Sequence, residues 1–397
     1  MNLSKKAMNI NPSVTLAITA KAKELKESGV DVVSFGAGEP DFNTPENIIN
    51  AAIKAMKDGK TKYTPTSGVI ELRRAICDKF RNDNGLEYDP NQIIVSTGAK
   101  QSLANAFMAI LNPGDEVIIP MPYWVSYPEL VELADGKPVY VKTDEECNYK
   151  YTIEALENIV TDKTKVILLN SPNNPTGTIY SKEELTNIAE FAKKYDLIIV
   201  SDEIYEKLIY DNKKHVSIAS ISEDAFNRTI VINGLSKSYA MTGWRIGYAA
   251  APVKITKLMV SIQSHMTSNT NSITQYAAIE ALTANQDNIK NMIAEFEKRR
   301  NFMVEKISDI KGLKIIKPNG AFYVMINIEK FFNKELNGKI IKNSLEFSEA
   351  LLDEEKVAVI PGTAFGLDNY IRVSYATSIE LIDKGLNRLE EFLRKLK

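Results

Sequence analysis

Residues 229–245 read TIVINGLSKSYAMTGWR. The first four, Thr229-Ile230-Val231-Ile232, suit a strand buried on both faces, and Gly234 then opens a turn that can project a side chain from the strand's carboxyl end. Two other runs repeat this design. Val166-Ile167-Leu168-Leu169 passes into Asn170-Ser171-Pro172-Asn173-Asn174-Pro175-Thr176-Gly177, and Leu197-Ile198-Ile199-Val200 passes into Ser201-Asp202-Glu203-Ile204-Tyr205. Apolar runs that stop abruptly at polar residues, alternating with helix-like segments, indicate an α/β fold with a mostly parallel sheet covered by helices. Ligands of such sheets bind beyond the carboxyl ends of the strands, so Asn174, Asp202, Tyr205 and Lys237 are expected at one site.

Lys237 alone reads as a solvated surface charge, the usual state of a lysine. Its surroundings argue otherwise. Arg245 follows eight residues later in a loop flanked by glycines. A lysine and an arginine so placed suit a molecule with a carbonyl at one end and a phosphate at the other, because an amine bonds the carbonyl and a guanidinium pairs bidentately with the dianion. Pyridoxal 5'-phosphate has this form. Val95-Ser96-Thr97-Gly98-Ala99-Lys100-Gln101 reads as a strand end entering an apolar-periodic helix over 102–111, which would turn the backbone amides of Gly98, Ala99 and Lys100 toward that phosphate. An ordinary strand-to-helix turn has the same local sequence. Arg372, in Ile371-Arg372-Val373-Ser374-Tyr375, is an arginine within an apolar strand, where its charge needs an anionic partner. That partner is either a substrate carboxylate or a local Asp or Glu.

The bulk properties restrict the chemistry. The chain has 397 residues, 44% hydrophobic and 25% charged, enough for a large core and most simply a large and a smaller domain. A net charge of −2 gives no sign of nucleic-acid binding. Two cysteines, Cys77 and Cys147, make no disulfide framework, and two histidines, His215 and His265, leave little material for a metal site or a Ser-His triad. No metal is expected. The start, MNLSKKAMNINPSVT, lacks the apolar stretch of a signal peptide, and no run of eighteen apolar residues occurs, so a cytoplasmic location without a membrane is expected.

The segments NNPTG (173–177), SDEIY (201–205) and SKSYAMTGWR (236–245) resemble the signatures of fold-type I pyridoxal-phosphate aminotransferases, specifically the bacterial branch of the class I aspartate aminotransferase family. Their separations also match, with 28 positions from Asn174 to Asp202 and 35 from Asp202 to Lys237. GEPDF (38–42), KYTPTSG (62–68), PYWVSYP (122–128) and IRVSYA (371–376) extend the resemblance over nearly the whole chain. It implies that Lys237 bonds the cofactor, that Asp202 pairs with the protonated ring nitrogen, and that Tyr205 and Asn174 meet the ring oxygen O3'. It implies that Trp124 stacks on the ring and that Tyr63 reaches the phosphate of a neighbouring subunit, making a homodimer. Arg372 and the backbone of Gly38 would take the α-carboxylate of the substrate, with Asn174 beside them, and Lys100 the distal carboxylate, with Trp124 nearby.

There is one departure. Family members often carry a serine three residues before the lysine, where this chain has Gly234, and Ser236 is expected to serve the phosphate instead. The expected organisation is an arm over 1–15, a small domain over 16–50 and 290–397, and a large cofactor domain over 51–289. The expected reaction is aspartate with 2-oxoglutarate. Aromatic or prephenate transamination, a carbon–sulfur lyase and a non-catalytic regulator share most of these motifs. A regulator would need a DNA-binding module, and the sequence offers none.

Overall fold

A computed structural model describes residues 1–10 and 14–397, so part of the expected arm lies outside the described residues. Helices α1 (Lys5–Asn9) and α2 (Val14–Glu27) come first, then strand β1 (Val33–Ser34) and helices α3 (Glu46–Lys57) and α4 (Ile70–Asn84). Strands β2 (Ile93–Ser96), β3 (Glu116–Met121), β4 (Lys137–Lys142), β5 (Thr164–Asn170), β6 (Ile198–Asp202), β7 (Thr229–Gly234) and β8 (Gly247–Ala250) follow. Among them lie α5 (Ala99–Ile110), α6 (Ser126–Leu133), α7 (Ile153–Glu157), α8 (Lys182–Lys194) and α9 (Glu223–Arg228). After α10 (Val253–Met266), α11 (Ser272–Thr283) and α12 (Asp287–Asp309), the chain builds β9 (Lys314–Ile315), β10 (Tyr323–Asn327), β11 (Lys334–Leu336) and β12 (Lys339–Ile341). It ends with α13 (Ser344–Glu355), β13 (Val357–Ala358), β14 (Ile360–Pro361), β15 (Tyr370–Ser374) and α14 (Ile379–Lys395).

The seven strands β2 to β8 form one sheet in the order β2-β8-β7-β6-β5-β3-β4. Only the pairings of β8 are antiparallel. Every residue of β7 is buried, as its β-branched run demands when helices cover both faces. The register sets Asn170 of β5 beside Asp202 of β6, and Asp202 beside Ile232 of β7, so the polar strand ends lie level. A second sheet has the order β14-β15-β10-β9, all antiparallel.

Helix starts follow capping chemistry. Ser181 and Glu184 make a reciprocal capping box on α8, while Ser222, Asn271, Asn343 and Ser378 each accept a backbone N–H at the start of a helix. Helix α5 starts at Ala99, three residues before the expected position, with Gly98 as its cap.

Ile289 packs into the core around β2 and β8, whereas Met292, Phe296, Met303 and Ile307 of the same helix pack around β10 and β15. On this basis we propose a large unit on the seven-stranded sheet and a small unit on the second sheet, with α12 passing between them. The second core also takes in Ile204, Tyr205, Leu208 and Tyr210, which follow β6, so the two units share side chains beside the strand ends. Among the described residues no helix is long and apolar enough to cross a membrane.

Candidate active site

A cavity of about 620 Å3 opens beyond the carboxyl ends of β5, β6 and β7, and Asn174, Asp202, Tyr205, Lys237, Arg245 and Arg372 all line it. Asn170 fixes two of the strand ends together: its Nδ2 donates to Asp202 O at 3.0 Å and its Oδ1 accepts from Asn174 N at 2.8 Å. Asp202 is buried. Its Oδ1 accepts from Ile204 N at 3.2 Å and its Oδ2 from the Tyr127 hydroxyl at 2.7 Å. Burial pushes its carboxyl up to about 6 despite those hydrogen bonds, and a cation next to it would bring the value down again.

Lys237 Nζ donates to Gly38 O at 2.6 Å, and burial lowers its ammonium to about 8. About a tenth of this lysine is therefore a free, nucleophilic amine at pH 7, far more than of an ordinary lysine. The distribution of a lysine and an aspartate across one cavity is what a carbonyl-bearing, nitrogen-containing ring requires.

A second end of the cavity is built for an anion. Ala99 and Lys100, the first residues of α5, line it together with Ser236 and Arg245. Gly98 has φ +87°, and a Cβ there would stand 2.4 Å from Arg245 Nη2. A Cβ on Gly247 would stand 2.2 Å from Ala99 N. Two glycines thus allow a guanidinium and a helix N-terminus to approach the same point, which suits a phosphate. A Cβ at Gly234 would meet Gly247 Cα at 3.0 Å and Ile204 Cδ1 at 3.1 Å, so a serine there would require these neighbours to shift by a few tenths of an ångström. The residues present therefore fit pyridoxal 5'-phosphate at both ends.

Arg372 is buried in β15, and its guanidinium lies 4.2 Å from the centre of the Tyr323 ring and 5.0 Å from that of Phe365. Its Nη1 donates to Asn174 Oδ1 at 3.0 Å and its Nη2 to Gly36 O at 3.4 Å, while Nε has no partner. Among the described residues no carboxylate forms an ion pair with it, so the local Asp or Glu alternative has no support. Because Asn174 Oδ1 is committed to Arg372, the Asn174 amide faces the cavity as a donor. Lys100 Nζ lies 4.9 Å from the centre of the Trp124 ring and is likewise without an ion pair among the described residues; burial, then Arg245, lowers its ammonium. Gly38 and Thr15 also line the cavity. Tyr63 does not line it and is 90% exposed.

Several side chains at the site escape a reading of local sequence. Tyr127 holds Asp202 and packs edge-on against Trp124 at 5.2 Å. Tyr323 places its ring under Arg372 and its hydroxyl 3.0 Å from that of Tyr205. Glu39 Oε2 accepts from Thr242 Oγ1 at 2.6 Å, tying the segment around Gly38 to the Lys237 turn. Behind the strand ends, Glu203, Glu206 and His215 converge. Lys79 pairs with Glu206, while Ser201, Ser217 and His215 surround Glu203, so these carboxylates are already satisfied by side-chain donors.

Residues 30–389 match the family model described as aminotransferase class I and II. An aspartate aminotransferase from Bacillus sp. (strain YM-2) is 53% identical, over 99% of each chain. A probable aspartate/prephenate aminotransferase from Rickettsia conorii is 50% identical, over 98% of each. The solved structure of an aspartate aminotransferase from Thermus thermophilus with maleate superposes with a TM-score of 0.92 at 43% identity, covering 98% of this chain and 99% of that one.

Proposed function

The chain belongs to the class I and II aminotransferases, and on that premise we propose that it moves the amino group of L-aspartate to 2-oxoglutarate, giving oxaloacetate and L-glutamate in two half-reactions. The observation that carries this reading is the pair of cations in one cavity, Arg372 and Lys100, without ion-pair partners among the described residues. Two such charges fit a substrate with two carboxylates. The α-carboxylate lies against Arg372, which offers a planar fork, and the distal carboxylate against Lys100. The relative from Bacillus carries the name aspartate aminotransferase, and the Thermus structure was determined with maleate, a four-carbon dicarboxylate.

Pyridoxal phosphate, when bound, supplies a carbonyl for the amine to bond and a conjugated ring that accepts the electrons of the broken Cα–H bond. Asp202 keeps a proton on the ring nitrogen, with its own orientation fixed by Tyr127 and the Ile204 amide. Tyr205 and Asn174 Nδ2 donate to the ring oxygen. Trp124 would cover one ring face, and Arg245, Ser236 and the start of α5 would hold the phosphate. Lys237 Nζ would hold the cofactor's carbonyl end and, as a free amine, would take the proton from the substrate Cα and return it one position away. The same amine serves as nucleophile and base, so its low basicity suits both tasks. We further propose a homodimer in which Tyr63 of each copy reaches the other copy's phosphate, supported by its exposure and its absence from this copy's cavity.

The test is a half-reaction followed by absorbance, offering aspartate, glutamate, alanine, tyrosine and cystathionine in turn. Rapid conversion to the pyridoxamine form is expected with aspartate and glutamate, and conversion at least about 10²-fold less efficient with alanine, which lacks the group that Lys100 binds. Pyruvate and ammonia from cystathionine, without the pyridoxamine form, would move the protein to the lyases. The Rickettsia relative's name favours testing prephenate as a second amino acceptor, because Lys100 is a point charge without the fork of an arginine and discriminates loosely.

A further inference from the structure

Tyr63 stands on an irregular segment between α3 and α4 and is itself largely exposed, yet the segment beneath it is held by polar side chains that include two fully buried glutamines. Gln275 of α11 donates through Nε2 to Thr64 Oγ1 at 3.0 Å and to Thr270 O at 2.7 Å, and accepts through Oε1 from Val69 N at 2.8 Å. Gln263 of α10 donates through Nε2 to Thr66 O at 2.9 Å and to Val95 O at 2.8 Å. One turn before Gln275, Ser272 Oγ donates to Lys60 O at 2.8 Å. Both glutamines have no exposed surface.

Glutamine is costly to bury unless every donor and acceptor is used, and apolar residues would fill the same volume without that requirement. Two of them converge on residues 64–69, and the hydrogen bonds they make restrain the backbone on the carboxyl side of Tyr63, while Ser272 restrains the amino side. Such restraint has no benefit for an exposed tyrosine acting within one copy. It matters when the hydroxyl must arrive at a fixed point in a neighbouring copy, because misplacement by about 1 Å can cost orders of magnitude in an oriented contact.

We propose that Gln275, assisted by Gln263, is a positioning residue that sets the place of Tyr63 and thereby the strength with which the neighbouring copy's site holds the cofactor phosphate. This rests on the homodimer reading above. Pyridoxal phosphate dissociation constants, measured by spectroscopic titration of the whole 397-residue protein, give the test as a double-mutant cycle of Gln275→Met with Tyr63→Phe. Gln275→Met is expected to weaken cofactor binding about tenfold in the native background, the order of one or two lost hydrogen bonds, and less than about twofold in the Tyr63→Phe background. An equal weakening in both backgrounds, or none in the native one, overturns the inference and leaves the dimer reading intact. If Tyr63→Phe itself changes nothing, the reading that Tyr63 reaches the other copy's phosphate fails and takes the inference with it. Should Gln275→Met fail to fold, Ser272→Ala, whose lost hydrogen bond is at the surface, enters the same cycle with an expected weakening of about threefold in the native background and none with Tyr63→Phe.

Discussion

Arg372 is a charge that the folded chain carries at a cost. It sits in the all-buried strand β15 with an amide, a carbonyl and two aromatic faces as its partners, and burial lowers its basicity. An ion held without a counter-ion destabilises a fold by several kcal/mol, whereas an ion in a structural pair destabilises it when removed. Arg372→Met therefore discriminates two roles in one variant. Transamination should fall by about 30- to 3,000-fold in kcat/KM, the range for losing one side of a buried charged contact, while the melting temperature stays level or rises. A large drop in melting temperature would instead mark a structural cation. Lys237 is readable in the same way through pH. Its amine is held at about 8, below the ordinary lysine value, so capture of the cofactor by the cofactor-free protein should accelerate about tenfold per pH unit and flatten above about 8. The folded state binds fewer protons than the unfolded one between about 8 and the ordinary lysine value, so this group makes the cofactor-free protein more stable as pH rises across that window. Arg372 was visible in the sequence as a cation where the local pattern calls for apolar residues, and Lys237 through its place just past a buried strand and a glycine turn, eight residues before Arg245. Tyr127 was not, since its bond to Asp202 spans 75 positions and a tyrosine at the start of a helix reads as core.

At the level of elements, the meeting of α5 with the turn after β7 decides whether the phosphate end exists at all. Gly98 has a left-handed backbone and leaves no room for a Cβ beside Arg245. Gly98→Ala should both strain the backbone, costing about 1–3 kcal/mol, and displace the guanidinium, weakening cofactor binding by about tenfold or more. Gly114 is the control. It has φ +89° but open space around it, so Gly114→Ala should reduce thermal stability without changing the cofactor dissociation constant. If both variants weaken cofactor binding equally, the close approach of Arg245 is irrelevant. The buried strands β5, β6 and β7 were legible because their apolar runs are long and end in sharply polar residues. β8 was not, since Gly-Tyr-Ala-Ala has neither length nor β-branched residues, and it becomes a strand by filling the gap between β2 and β7. The start of α5 also lay earlier than its apolar periodicity suggests, because its first residues face the ligand cavity and carry no core signal.

Across the whole molecule, the segment after β6 is gripped from two sides. Tyr205 packs in the core shared with β10 and β15, and Glu206 is paired with Lys79 of α4 and accepts from Asn84 Nδ2 at 3.1 Å. Next to it, Lys207 pairs with Asp83 at 2.7 Å. The end of α4 thus holds the chain that carries Tyr205 into the site. Burial pushes the Glu206 carboxyl up, but the Lys79 ammonium, with His215 and Lys207, outweighs it and brings the group down to about 2. A depressed carboxylate contributes stability that is complete above its unfolded value of 4.5 and disappears as pH falls through about 2. Asp202 has the opposite sign, since its raised folded value makes the cofactor-free protein lose stability as pH rises from about 4 to about 6. Removing one partner of the buried pair, as in Lys79→Met, leaves Glu206 uncompensated and should cost about 3–5 kcal/mol. Removing both, as in Lys79→Met with Glu206→Leu, should recover most of that loss and make the fall in stability between pH 4.5 and 2 shallower by the share Glu206 contributes, while Asp211, also held down to about 2 by Arg300, keeps its own share. Denaturant unfolding of the three proteins across that range measures both effects. A double variant as unstable as the single one, with its acid limb unchanged, would mean that the helix is held by packing around Leu72, Ile76 and Phe80 and that the ion pair contributes nothing to bracing Tyr205.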